Sequence, residues 1–398
     1  MADSICRICN NPHTKKILSI PYASPIGYDC SDYIQEIYCC ENCGYVGTAN
    51  PINVSLSENN YKNLAKYEGS VCADKEIENF SERKSYVSIA GFQHSFLSSY
   101  LTEINSILDI GASTGYALSL YQADKKLGID PSPRNSVIGR KHYKVEMYTG
   151  LFEQWHESFP DEKYDLVFMS HVLEHLNDPK GCIELLDSHV SRYVFIEVPT
   201  LDLRYRNRPY GLFSEEHISY FSVSSLIALM KGYELVSSCI NLNPSIDEAV
   251  GYPSILTLWK KSTVPAGTDT SKNLTCLYSS CEIITRYVQD SAEGAKLIKE
   301  KILSLSDKGT VSIWGAGSHT FKLLADDEIY SRINWNNIYD NNPQKWGHKI
   351  RDIGVCKFEH GKNSTDEFIL VSSNTAQEEI VSGLRRLGFD DKYIITLY

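Results

Sequence analysis

Short, nearly continuous apolar runs predict buried strands, and apolar positions three or four apart predict helices. Between about residues 80 and 260 of this chain the two patterns alternate. "INSILDIG" predicts a strand carrying Asp109 near its end, and "ASTGYALSLYQ" a turn that runs into a helix. "KKLGID", "YKVEMY", "YDLVFMS" and "RYVFIEVP" predict four more strands, the first ending in Asp130 and the last stopped by Pro199. "HVLEHLNDPKGCIELLDSHV" reads as one helix. "SVSSLIALMKG" reads as another, with Ser222 as its N-cap and Gly232 just past its end. Two strands in succession, "YELVSSCI" and "YPSILTLWKK", close the series and predict an antiparallel edge. Strand–helix alternation of this kind is the pattern of a doubly wound α/β sheet.

"KSTVPAGTDTSK" then predicts a linker, followed by a long helical stretch to about residue 306. A third unit alternates again through "VSIWGAGSHT", "NNIYDNNP", "EFILVSS" and "KYIITLY". The first unit has a different character. Cys6-x-x-Cys9 and Cys40-x-x-Cys43 are two thiolate pairs, each able to take two corners of a tetrahedron, and Gly44 permits a tight turn after the second. Four thiolates leave no open position, so the expected zinc is structural. Cys30 and Cys39 are expected to be spare thiols that compete as ligands; the plainer alternative is a set of reduced core cysteines. The expected organisation is a zinc-binding module at 1–75, a central core at 76–262 and a Rossmann-like unit at 273–398.

Composition narrows the partners. The chain of 398 residues is 42% hydrophobic and 22% charged, ordinary for a globular protein, with a net charge of −11. No long basic run is present, which disfavours nucleic acid. No window of about 18 consecutive apolar residues predicts a membrane span, and the N-terminus has no export-signal pattern. Cysteines crowd toward the N-terminus as metal ligands would in a reducing cytoplasm. The expected location is cytoplasmic, and the expected state is a monomer or weak homo-oligomer.

The turn "LDIGASTG" is the most informative for chemistry. Gly111 and Gly115 bracket a strand-to-helix turn where backbone must approach a ligand, but Ser113 replaces the middle glycine of the dinucleotide fingerprint. A pyrophosphate therefore has a poor cradle. Asp130, at the end of the next strand, is placed to accept ribose hydroxyls, which fits an adenosyl cofactor without phosphates. His171-x-x-Glu174-His175 also matches an inverted zinc-protease motif, although a distant third ligand is not evident. The plainer alternative for His175 is a histidine on a helix face.

"ILDIGASTG", "GID" and "YDLVFMSHVLEHLNDP" resemble the corresponding blocks of class I S-adenosylmethionine-dependent methyltransferases. The resemblance implies that Asp109, Gly111, Ser113, Gly115, Asp130 and Ser170 surround S-adenosylmethionine, and that Phe152 borders its adenine. With "CRIC…CENCG", "EEHISYFS" and "IYDNNPQKWGHKI", nearly the whole chain resembles three-domain C-methyltransferases of nucleotide-linked keto sugars. Glu216 and His217 match an acid–histidine pair of that family, while Ser214 and Glu215 stand where its tyrosine and first histidine would be. Tyr67 resembles a family tyrosine that could serve as a donor to an enolate.

C-methylation beside a ketone requires a base for the α-proton, and neutral histidine suits that task near pH 7. With Ser214 as N-cap, His217 would occupy the third position of a helix, and Glu216 would orient its ring. The plainer alternative is a well-capped helix start with no chemistry. In the third unit, Gly315 and Gly317 form a second glycine turn and Asp340 closes a later strand; these, with Arg204, are expected to contact the nucleotide sugar. O-methylation of a related small molecule, or a binding protein with an inactive methyltransferase fold, are the other readings.

Overall fold

The computed structural model describes residues 5–26, 32–52, 80–201, 209–241, 253–262, 280–359, 367–373 and 376–398. Near the N-terminus, β1 (Thr14–Ala23), β2 (Asp32–Cys40) and β3 (Val46–Thr48) form an antiparallel sheet. The central strands are β4 (Ser106–Ile110), β5 (Lys125–Asp130), β6 (Glu146–Thr149), β7 (Tyr164–Ser170) and β8 (Val190–Pro199). After β8 the chain leaves the central sheet. Its next strand, β9 (Ser219–Tyr220), pairs with β3 and becomes the fourth strand of the N-terminal sheet. It then returns as β10 (Tyr233–Asn241) and β11 (Ser254–Lys261).

The central sheet has the order β10-β11-β8-β7-β4-β5-β6. Strands β4 to β8 are parallel, and β11 runs antiparallel to both β8 and β10, as the two successive late strands predict. Ile107, Leu108, Leu166, Val167, Val194 and Phe195 are essentially inaccessible, as expected of parallel strands covered on both faces. A third sheet is built from β12 (Val311–Trp314), β13 (Trp335–Tyr339), β14 (Lys349–Ile350), β15 (Ile353–Cys356), β16 (Phe368–Val371) and β17 (Ile394–Thr396). Its order is β14-β15-β13-β12-β16-β17, parallel apart from β14. The long helix Ser280–Leu303 precedes it.

Three local expectations are corrected. The segment after β7 is not one helix: Leu173–His175 is a single 3-10 turn, and a helix starts afresh at Pro179–Asp187. Asp178 caps that helix by accepting from the Gly181 N–H at 2.8 Å, and Pro179 both suits a first helical position and keeps the preceding residue out of helix. After the first glycine turn only Tyr116–Ser119 is helical, so almost no helix dipole points at the turn. His217 is not helical either. Its N–H is capped by Ser214 Oγ at 3.1 Å, but residues 213–218 form a bend that feeds β9 instead of a helix. Among the described residues no helix is long and apolar enough to cross a membrane.

Candidate functional site

Cys6, Cys9, Cys40 and Cys43 converge, with all four sulfurs within 4.8 Å of one another. Cys6 and Cys43 sulfurs are 3.6 Å apart, and those of Cys9 and Cys40 are 3.5 Å apart. Thiolates held at 2.3 Å from a tetrahedral zinc lie about 3.8 Å apart, so the donor set fits that ion. Gly44 has a φ of 72°, the left-handed turn expected after the second pair. Cys39 is not a competing thiol, because it is bonded to Cys281 at the start of the long helix. Its side chain lies on the face of β2 opposite that of Cys40, as alternation along a strand requires. Cys30 lies outside the described residues.

The central sheet changes winding direction at β4, with β5 on one side and β7 on the other. The third sheet does the same at β12, between β13 and β16. Ligands of doubly wound sheets collect at such points. Here both points open onto one cavity of about 1050 Å³. Asp109, Gly111, Ser113, Asp130, Phe152, Ser170, Glu216, His217 and Gly317 all line it. Gly115, Gly315 and Asp340 support its turns from behind, and Tyr67 and Arg204 lie outside the described residues.

At the central end, Gly111, Ser113 and Gly115 all have positive φ, at 78°, 50° and 74°. A β-carbon on Gly111 would overlap the Val172 methyl. Asp130 accepts from Ser113 N–H and Ser132 N–H, both at 2.9 Å, and from Asn135 Nδ2 at 3.1 Å. Burial outweighs these bonds and raises its carboxyl to about 6. Burial, with Asp130 nearby, also pushes Asp109 well above the usual carboxylate range. Among the described residues no lysine or arginine lines this end, so it suits a neutral sugar and a cationic sulfonium better than a pyrophosphate. Phe152 starts the helix Phe152–Ser158 and stacks on Trp155, giving an apolar wall. Tyr86 and Gln93, from the helix Lys84–Ser98, complete the lining. Their helix precedes the glycine turn and carries no motif, so sequence reasoning passes over them.

His217 lies beside a cluster that spacing alone does not assemble. Its ring is 4.8 Å from that of His175, edge to face. An oxygen of Glu174 and one ring nitrogen from each of these histidines lie within 4.8 Å of one another. His171 joins through Glu174, with Nδ1 to Oε1 at 3.2 Å. His171 and His175 therefore meet Glu174 across a turn, and the shared helical face needed by the protease motif does not form. Burial alone would raise Glu174, but the three histidines hold its carboxyl down at about 2.

The N-terminal sheet fixes the loop that carries His217. Gln35 Nε2, on β2, donates to the carbonyls of Ser214 at 2.9 Å and His217 at 3.2 Å. Tyr220 O–H donates to the same His217 carbonyl at 2.5 Å. Tyr45, two residues after the last zinc-pattern cysteine, has its hydroxyl 2.6 Å from that of Ser219. Glu215 is 5% exposed, and burial raises its carboxyl.

At the far end, Asp340 is occupied. Its carboxylate accepts from Ala316 N–H at 2.8 Å, Asn342 N–H at 2.8 Å and Lys345 Nζ at 3.1 Å. Gly317, Ser318, Asn342, Gln344, Lys345 and His348 form this rim.

Residues 81–237 match the family model described as a methyltransferase domain. No curated protein matches the sequence. Among solved structures, a possible histamine N-methyltransferase from Thermotoga maritima is 20% identical, with 44% of this chain and 89% of that chain covered and a TM-score of 0.34. The N-methyltransferase NodS of Bradyrhizobium japonicum, bound to S-adenosyl-L-homocysteine, is 13% identical, covering 47% and 95%, with a TM-score of 0.36. Magnesium protoporphyrin IX methyltransferase from Synechocystis, also with that ligand, is 14% identical, covering 51% and 97%, with a TM-score of 0.37. The central unit, over residues 81–237, is thus a methyltransferase domain.

Proposed function

We propose that the protein methylates the carbon beside the ketone of a nucleotide-linked 4-keto-6-deoxysugar, with His217 as base. The observation that carries this reading is the common cavity. His217 faces the same space as the central glycine turn and Asp130, and that space extends to the second glycine turn. In this reading Asp109, Gly111, Ser113, Gly115, Asp130, Phe152 and Ser170 hold the cofactor. When bound, the cofactor supplies an electrophilic methyl on a sulfonium. His217 accepts the α-proton, and Glu174 stabilises the imidazolium so formed across the His175–His217 contact. Glu216 lines the cavity beside the base. The C-terminal rim around Gly317 and Lys345 receives the nucleotide. The four-cysteine zinc site acts at a distance, by keeping β3 in place to pair with β9. The three units at 1–75, 76–262 and 273–398 then contribute the brace, the methyl-transfer site and the nucleotide contact.

The test is proton exchange in D2O, followed by NMR, with S-adenosylhomocysteine bound and a panel of nucleotide 4-keto-6-deoxysugars. Exchange at one carbon beside the ketone is expected to exceed the buffer rate. It should fall by roughly 10²- to 10⁴-fold in His217→Ala. No enhanced exchange on any sugar, with cofactor binding proven, would overturn C-methylation and favour O-methylation.

A further inference from the structure

We propose that His171 is the donor that holds the negative charge developing on the substrate's carbonyl oxygen. This rests on the reading of His217 as base. As that base removes the α-proton, the C–H electron pair becomes the enolate C=C bond. The displaced carbonyl pair then resides on oxygen, which needs a hydrogen-bond donor to hold the developing charge.

Three observations on His171 converge. First, its φ is 54°, a left-handed conformation that costs a non-glycine residue energy and persists only when the surroundings enforce it. The strained residue directly follows Ser170, the last residue of β7, and turns into the cavity. Second, its two ring nitrogens face different carboxylates. Nδ1 is 3.2 Å from Glu174 Oε1, whereas Nε2 is 3.9 Å from Glu197 Oε1, near enough for charge attraction but beyond a hydrogen bond. Glu197 is already engaged by Ser170 Oγ at 2.9 Å, Ser254 Oγ at 2.5 Å and Gln93 Nε2. Third, the His171 side chain keeps 34% of its surface open, while both carboxylates are essentially inaccessible. A ring clamped at Nδ1 and open at Nε2 can offer that N–H to a ligand.

The charge state agrees. Burial alone would lower the imidazole, but the bond to Glu174 and the charges of Glu174 and Glu197 raise it to about 9. Lys345, the lysine that lines this cavity among the described residues, is bound to Asp340 and belongs to the far rim. Base and donor thus gather at one buried acid: His171 Nδ1 and His175 Nε2 approach Glu174 Oε1 at 3.2 Å and 3.9 Å, and His217 packs on His175.

The experiment uses the full chain with S-adenosylhomocysteine bound and compares wild type with His171→Asn by α-proton exchange in D2O across pH 6 to 10. Two controls accompany it: calorimetric binding of S-adenosylhomocysteine, and ¹⁵N NMR of the histidine rings. The expected result is a fall in exchange of about 10²-fold, with half-saturation by sugar and cofactor affinity little changed. In wild type the rate should drop above pH 9 as one imidazolium titrates, and both that limb and that NMR signal should vanish in the variant. A purely structural histidine would instead change melting temperature and cofactor affinity without removing the alkaline limb. Wild-type exchange rates in His171→Asn, or no histidine titrating above pH 8 in the wild-type complex, would overturn the assignment while leaving the parent reading intact. Absence of exchange in wild type on every sugar would overturn the parent reading and this role together.

Discussion

The two glycine turns occupy equivalent places in two sheets wound the same way, yet their carboxylates are spent differently. Asp130 ends and Asp340 directly follows the strand beside the turn, and each accepts one backbone N–H from the turn and one from two residues further along its own loop. Asp340 also binds Lys345, whereas among the described residues no cation bonds to Asp130, whose carboxyl burial holds near 6. The central turn is therefore left acidic and open to a ligand rich in donors. The C-terminal turn has its charge cancelled and its backbone tied down. Topology decides where a site opens, and the residues at the rim decide what it accepts.

The sharpest way to break this comparison is to add one methyl group to each turn. Gly111→Ala must hold a φ of 78° and displace Val172, at a cost on the order of 2–4 kcal/mol. We expect a melting point lower by several degrees and loss of measurable S-adenosylhomocysteine binding. Gly317→Ala meets nothing within 4 Å and keeps an ordinary φ of −133°, so melting and cofactor affinity should match wild type. Loss of S-adenosylhomocysteine binding in Gly317→Ala as well would mean that the second turn also serves the cofactor.

Zinc comes next in expected effect. Protein purified without chelator should carry one zinc per chain by metal analysis, lost in Cys40→Ser. Because β9 pairs with β3, zinc loss should slow His217-dependent exchange by at least about tenfold, although no thiolate faces the substrate. Exchange that survives zinc removal unchanged would separate the N-terminal sheet from catalysis.

Swapping the carboxylates gives a smaller effect. Asp130→Asn should weaken S-adenosylhomocysteine binding about tenfold by calorimetry, near 1.4 kcal/mol. Asp340→Asn should leave that affinity unchanged. Protonation removes acceptor capacity from a carboxylate, so wild-type cofactor affinity should fall as pH drops through about 6. Asp130→Asn should flatten that dependence.

The smallest effect concerns stability. The folded imidazole of His171 is raised to about 9, above its ordinary value of 6.5, so its contribution is complete below pH 6.5 and fades as pH rises through 9. Glu174 is depressed to about 2, so its contribution is present above about 4.5 and lost as pH falls through 2. The melting point should decline between pH 6.5 and 9 in wild type, and less steeply in His171→Asn.

Local sequence determined the strands of the central sheet, because apolar runs bounded by Gly, Pro and Asp have few other ways to hide. It also placed the thiolate pairs and both glycine turns, whose spacings are themselves the geometric requirement. A good apolar period predicts one helix through His171–Val190, but the start signal at Asp178-Pro179 divides it. Only the tertiary structure brought His217 to the local group of His171, Glu174 and His175, since that contact spans over forty residues and depends on a loop leaving one sheet to join another. It alone paired Cys39 with Cys281, 242 residues apart. Periodicity records which face of an element is buried; it holds no record of which distant element covers that face, and the candidate chemistry of this protein arises where two such coverings meet.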